Sequence, residues 1–299
     1  MNILVTGGGG DIGGEVVSNL CEIHSVSILD VQKSTRHSDL PFLEVDLMDA
    51  NKVKSLVRGF DVVVHLAAIP DPFSDPAELV FRVNCMAIFN ILEAIRANNI
   101  PRIVYGCSES ASGFGIRNRS YKPRYLPIDE EHPSWPHESY GMSKYFGELM
   151  CQQYSMAYDL EAISLRYAWA WGGGRNISSW KSILERGSGG GDKDWLGAWV
   201  ATSDIAQSVL KSCEFEFSDG QSLFERFYVT ARDNFTDLTT LELIDLNWPD
   251  DPPKVLQPEL FEVNPKASLF DYRKATRMLG YVPTVDLDVL RERLGVNRV

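Results

Sequence analysis

The sequence predicts a doubly wound, parallel α/β sheet with a small α/β lobe toward its C-terminal end. Three observations predict it. Short apolar runs alternate with helical stretches from Asn2 to Tyr167, the pattern of strands joined by helical crossovers. A glycine-rich turn follows the first run. After Ala168 the alternation gives way to a Trp- and Gly-rich stretch and then to helices broken by prolines.

Asn2–Thr6 reads as a buried strand, and Gly7, Gly10 and Gly13 follow in Gly-x-x-Gly-x-x-Gly spacing. Asp11 and Ile12 lie between the last two glycines. A helix over Glu15–Ile23 and a second strand, Val26–Leu29, lead to Asp30, 20 residues after Gly10. Strand, glycine turn, helix, strand and acid in this order form a dinucleotide-binding fingerprint. The first glycine permits the turn, the second lets backbone approach a pyrophosphate, and the third lets helix pack on strand. Free N–H groups at the helix start face the phosphate charge. Asp30 can accept hydrogen bonds from a ribose, and its charge would repel a 2′-phosphate. That favours NAD over NADP, with Lys33 and Arg36 nearby as the opposing feature.

The remaining elements follow in order. Pro41–Val45, Asp61–His65, Ile100–Gly106, Leu160–Tyr167 and Arg226–Thr230 read as strands. Asn51–Arg58, Ala77–Asn98, Ser139–Asp159 and Thr202–Cys213 read as helices, and Pro76 suits the first position of its helix. Ala77–Asn98 is apolar nearly all round and needs cover on two faces. Thr236–Leu246, Lys266–Leu279 and Asp286–Leu294 are the helices expected in the C-terminal lobe. The boundaries expected are a dinucleotide-binding domain over 1–170, rejoined by 200–231, and a substrate-binding flap with the lobe over 171–299.

Composition excludes several functions. The chain is 44% hydrophobic, enough for a sizeable core, and carries a net charge of −12. That balance argues against nucleic acid or an anionic membrane surface as a partner. No apolar run approaches the length of a membrane span. Five scattered cysteines without a Cys-x-x-Cys read as free thiols in a reducing cytoplasm. Asp129-Glu130-Glu131-His132 offers potential ligands, but they are adjacent in sequence and no second His or Cys stands at helical spacing. No metal is expected.

Two stretches carry chemistry. Ser108–Gly115 is small and Gly-rich at the carboxyl end of a strand, where open α/β sheets bind ligands. Tyr140 and Lys144 lie at i and i+4, one turn apart on one helical face. Such a pair occurs by chance in many helices; here it follows the Ser-rich loop by some 30 residues, inside a dinucleotide-binding chain. Five of the seven tryptophans fall in Ala168–Val200. They either cover the core edge or form a mobile flap that stacks on substrate; Trp169 and Trp171 are the candidate substrate contacts.

Taken together, these motifs resemble the extended short-chain dehydrogenase/reductases of the NAD-dependent epimerase/dehydratase family, whose nucleotide domain has the Rossmann fold. Thr6–Gly13 matches the glycine motif, Asp46-Leu47 the adenine-contacting pair, and His65-Leu66-Ala67-Ala68 the segment beside the nicotinamide ribose. Asn84 matches a helix asparagine that supports the catalytic lysine. Ser110, five residues before Gly115, stands where the family places its catalytic Ser or Thr, with Ser108 the alternative two residues earlier. Tyr140 and Lys144 match the Tyr-x-x-x-Lys pair, which implies that the lysine cation, with a positive nicotinamide, lowers the phenol pKa so that Tyr140 takes a proton from a substrate hydroxyl, and that the lysine also binds the cofactor ribose. The resemblance implies NAD as cofactor, a carbohydrate-like substrate and a homodimer through Ala77–Asn98 and Tyr140–Tyr158.

The chain also departs from the family. An Asn-x-Tyr-Gly-Pro segment is replaced by Trp169-Ala170-Trp171-Gly172-Gly173, and an Arg-Asp-Phe/Tyr element by Leu196–Val200. Residues often used for a nucleotide sugar are therefore missing. Arg102–Gly115 with Tyr140–Gly147 is also similar to uronate dehydrogenases, which oxidise free sugar acids. Three functions remain: a dehydrogenase acting on a sugar, sugar acid or polyol; an epimerase or dehydratase that retains NAD; and a non-catalytic dinucleotide sensor.

Overall fold

The structure is a computed structural model that describes residues 1–33, 36–115, 121–172, 177–186, 196–218 and 220–296. Seven parallel strands form the central sheet: β1 (Asn2–Thr6), β2 (Ser25–Asp30), β3 (Phe42–Glu44), β4 (Val62–His65), β5 (Arg102–Ser108), β7 (Glu161–Tyr167) and β10 (Phe224–Val229). Their spatial order is β10-β7-β5-β4-β1-β2-β3. The chain runs outward from β1 to β3, then returns to lay β4 on the other side of β1. That reversal opens a crevice at the carboxyl ends of β1 and β4, the place where doubly wound sheets bind ligands.

Strand alternation sorts the core into two layers. Ile3, Val5, Ile28, Val62 and Val64 pack with Val16, Val17 and Leu20 of α1 (Asp11–Leu20) and Ile205 and Val209 of α6 (Thr202–Cys213). Leu4, Leu29, Val63 and Ile103 face the other way, onto Val53 of α2 (Ala50–Leu56), Ile88, Ile91 and Ile95 of α3 (Ala77–Asn98) and Cys151 of α4 (Ser139–Tyr158). Period-two residues on buried strands meet helices on both faces, as a parallel sheet requires. The expected α1 start moves four residues earlier, because Gly10 serves as its N-cap.

The Trp-rich stretch differs from the irregular segment expected. β8 (Trp169–Trp171) and β9 (Trp199–Ala201) pair in parallel, with α5 (Ile177–Arg186) between them. Trp171, Trp180 and Trp199 are buried in a third apolar cluster with Phe235, Val285, Leu287 and Leu290. Their size drives this burial, since aromatic rings carry the largest apolar area per residue. Trp195, Gly173, Gly174 and Gly187–Gly191 lie outside the described residues.

In the lobe, α7 (Thr240–Asn247) starts on a capping box between Thr239 and Glu242. A two-stranded parallel pair joins β6 (Tyr125–Leu126) to β11 (Lys254–Val255), and α8 (Pro258–Val263) follows. The helix expected over Lys266–Leu279 forms only as α9 (Arg273–Leu279). Ala267 and Phe270 instead bridge to Asp233 and Ile128, so extended pairing wins over helix there. α10 (Leu287–Leu294) is capped by Asp286. All five cysteines are free, and among the described residues no helix is long and apolar enough to cross a membrane.

Behind the strand ends lies a buried ion pair. Arg166 of β7 and Glu148 of α4 are both essentially inaccessible and meet in two bonds, Nε–Oε2 at 3.0 Å and Nη2–Oε1 at 2.6 Å. Arg166 also donates to Tyr228 Oη and Ser134 Oγ, and Glu148 accepts from Ser164 Oγ. Removing one partner strands a buried charge, which costs about 3–5 kcal/mol. Glu148→Leu, which leaves the buried Arg166 guanidinium without a carboxylate, should therefore lower the urea unfolding free energy by about that amount. A loss below about 1 kcal/mol would show that the pair is solvated rather than buried.

Candidate active site

The turn after β1 is built by close approach. Gly7 sits at φ 72°, and a Cβ there would lie 2.6 Å from the backbone nitrogen of Ala67, just past β4. A Cβ at Gly13 would collide with the carbonyl oxygen of Gly7. Only glycine fits both positions. The α1 N-terminus carries no side-chain cap on Gly10, so its first N–H groups face the crevice unclaimed by a capping side chain. Asp11 and Ile12 open the helix, with Ile12 against the core.

Asp30 ends β2. Its Oδ2 accepts from Gly9 N at 3.0 Å and its Oδ1 from Val31 N at 2.8 Å, which aims the carboxylate across the turn. Each oxygen keeps acceptor capacity for a ribose hydroxyl. Arg36 is paired with Glu15 at 2.9 Å, so one of the two cations set against Asp30 in the sequence argument is already engaged. Asp46 is exposed and accepts from Met48 N, whereas Leu47 is buried and its carbonyl accepts from Asn90. Leu66, Ala67 and Ala68 are half-buried along the strip after β4. A glycine cradle that any Cβ would fill, an uncapped helix start and an oriented acid at the second strand end fit a dinucleotide.

His65 ties β4 to that turn. Its Nδ1 lies 2.7 Å from Thr6 Oγ1, and Ala67 N donates to the same hydroxyl at 3.4 Å. Burial, reinforced by the Lys144 charge, lowers the His65 pKa to about 3. Asn84 of α3 clamps the next stretch. It accepts from Ile69 N, and its amide donates to Ile69 O and to Ser143 Oγ. It therefore supports the helical turn that carries Lys144 without touching the lysine itself.

Tyr140 and Lys144 project from the first turns of α4, whose start Glu138 caps by accepting from Tyr140 N at 2.7 Å and from Gly141 N at 2.5 Å. Gly141 lets this turn lie on the backbone of Ser110; a Cβ would sit 2.5 Å from Ser110 O. Lys144 Nζ donates to Gly106 O at 2.9 Å and lies 5.7 Å from the Tyr140 ring centre. Burial pulls its pKa down to about 8. Burial likewise pushes the Tyr140 phenol up from its ordinary value, and a hydrogen bond with Ser108 partly opposes that. The lowering expected from Lys144 alone is thus outweighed by desolvation.

The hydroxyl that meets Tyr140 is that of Ser108, not Ser110. Ser110 sits in a short 3-10 turn, Glu109–Ser112; its N–H donates to Ser108 Oγ at 3.1 Å, and its own hydroxyl packs toward Gly115. Gly113, at φ 92°, ends this short turn.

Of the tryptophans singled out, Trp169 is half-exposed with its ring 4.2 Å from that of Trp180, whereas Trp171 is buried in the lobe cluster. Asp129, Glu130 and His132 serve separate partners, Tyr125 Oη, Tyr228 N and Arg124 N. Sequence reasoning missed Glu109, a buried acid beside Ser108, and the Glu138 cap.

The His65 environment has a measurable sign. Its folded pKa, about 3, lies below the ordinary 6.5, so the unfolded chain binds the proton first as pH falls. Stability contributed by neutral His65 is whole above 6.5 and is lost as pH falls toward 3, at up to about 1.4 kcal/mol per pH unit. Urea unfolding across that window should show His65→Asn with a shallower pH slope than the parent. Parallel slopes would refute the assignment.

A model described as the NAD dependent epimerase/dehydratase family matches residues 3–188. A putative UDP-glucose 4-epimerase of Methanocaldococcus jannaschii is 30% identical over 82% of this chain and 73% of its own length. A uronate dehydrogenase of Agrobacterium fabrum is 30% identical over 55% of this chain and 59% of its own length. The solved UDP-glucose 4-epimerase of Thermotoga maritima superposes with a TM-score of 0.70 at 23% identity, covering 98% of this chain and all of that one. It shares the doubly wound fold. With more than half of its length matched by the family model, the chain belongs to the NAD-dependent epimerase/dehydratase family of extended short-chain dehydrogenase/reductases.

Proposed function

We propose that this protein is an NAD-dependent dehydrogenase that oxidises a hydroxyl of a sugar, sugar acid or polyol. The contact between the Tyr140 phenol and Ser108, one helical turn from the Lys144 ammonium, carries the reading. Ser108 and Tyr140 together hold the substrate oxygen. Lys144 favours the phenolate form of Tyr140, which accepts the hydroxyl proton and becomes a neutral phenol as hydride leaves the carbon. Lys144, with Leu66, Ala67 and Ala68, holds the nicotinamide ribose, and Asn84 keeps that turn of α4 in place. Gly7, Gly10, Asp11, Ile12 and Gly13 hold the pyrophosphate, Asp30 the adenosine ribose, and Asp46 and Leu47 the adenine. Bound NAD supplies the hydride acceptor.

A free substrate is favoured over a nucleotide sugar by the element that replaces the family's arginine. Leu196, Ala198, Trp199 and Val200 are all buried, so an apolar strand stands where a phosphate would need a cation. The second reading, an epimerase or dehydratase that returns the hydride, is favoured by the extent of the match to the Methanocaldococcus relative. The two separate in one assay. Reduced nicotinamide should accumulate with at least one free sugar, sugar acid or polyol; NAD co-purifying with the protein and no net reduction across such a panel would favour the second. Tyr140→Phe should cost at least ~100-fold in turnover with NAD affinity retained. Unchanged turnover in that variant would remove Tyr140 from the mechanism.

Asp30 makes NAD the preferred form, so NADP binding more tightly than NAD in calorimetry would reverse that assignment. The chain pairs with a second copy through α3 and α4. Met86, Phe89, Phe146 and Tyr158 remain exposed on these two helices, apolar side chains that a second copy would cover. Light scattering at micromolar concentration should give the dimer mass, and a monomer mass would exclude the pairing. Five free thiols suit a reducing cytoplasm.

A further inference from the structure

Glu109 has no part in the chemistry above, yet it is buried beside it. The residue is 7% exposed, follows Ser108 directly, and bears electrostatically on the Tyr140 phenol. The backbone N–H of Trp169 donates to its carboxyl, while Oε2 has no hydrogen-bond partner. Space has been made for this side chain, since a Cβ at Gly115 would lie 2.6 Å from Glu109 Cγ. Among the described residues no cation acts on it; burial dominates and raises its pKa well above its ordinary value. Burial of this kind favours the neutral acid, which carries an O–H. An unpartnered buried polar oxygen is costly unless a ligand completes it.

We propose that Glu109 is a substrate-binding residue whose carboxylic acid O–H donates to the substrate oxygen next to the one held by Ser108 and Tyr140. This rests on the Ser108–Tyr140 reading of the site and deepens it. Two oxygens on adjacent carbons would then be read by two adjacent residues, Ser108 and Glu109. The site selects a vicinal diol or hydroxy-acid over a simple alcohol. Trp169 takes part from the other side, because its N–H fixes the Glu109 carboxyl in the orientation that leaves Oε2 for the ligand. Glu109 transfers no proton in the reaction; it holds and orients.

Infrared spectroscopy tests this without turnover. The full-length protein loaded with NAD should show the carbonyl stretch of a protonated carboxylic acid at neutral pH, and Glu109→Gln should lack that band. Free pentoses, hexoses and hexuronates are then added in turn. At least one should shift the band. Absence of the band, or a band that no sugar moves, would overturn the proposal. A shift without any NADH formation would leave Glu109 as proposed and defeat only the dehydrogenase reading. Where a sugar does yield NADH, Glu109→Gln should keep KM within about threefold, because the amide also donates, whereas Glu109→Leu should raise it about tenfold with NAD affinity unchanged. Equal KM increases in both variants would overturn the donor role.

Discussion

The backbone of Gly7 passes so near that of Ala67 that no side chain can stand between them. This contact joins the turn after β1 to the strip after β4, on either side of the crevice where the strand order reverses. Thr6, His65 and Ala67 lock it with a shared hydroxyl. Everything that reaches into the crevice is measured from this seam. Asn84 extends the seam to Ile69 and, through Ser143, to α4. A chain of backbone and buried hydrogen bonds thus runs from the glycine turn to the helix that carries Tyr140 and Lys144. Such a chain is stiff, because its side-chain members Thr6, His65, Asn84 and Ser143 are buried and hydrogen-bonded.

Desolvation governs the electrostatics of the site more than charge pairing does. Lys144, Tyr140 and His65 all shift toward their neutral forms, and burial is the leading cause in each. Glu148, with two arginines nearby, is the contrast: the guanidinium groups hold its carboxyl below the usual range despite full burial. The site therefore separates into a charged, structural layer behind the strand ends and a largely neutral, reactive layer in front. Low dielectric in the front layer strengthens any charge that binding introduces there.

The nucleotide half was legible because its constraints are local. Strand, turn and helix are encoded within thirty residues, and period-two burial makes each strand an apolar run. The pair Tyr140 and Lys144 was legible for the same reason, since helical periodicity alone puts them on one face. Which of Ser108 and Ser110 lies by Tyr140 was not, because both stand at one short turn and only the fold sets their directions. Glu109 was hidden for a similar reason. Acids are exposed by default, and only the fold shows this one enclosed. The Trp-rich stretch looked irregular because its strands are three residues each, too short to show alternation.

That stretch has a mechanical consequence. One residue, Ala168, separates β7 from β8, and no residue separates β9 from α6. Both ends of the unit are continuous with elements of the main sheet and its covering helix. Attached in this way, β8 and β9 follow the twist of the sheet at both ends of the unit. Adjustment at these ends is left to rotamers of half-exposed side chains such as Trp169, so the described part of this surface is closer to a mould than to a closing jaw.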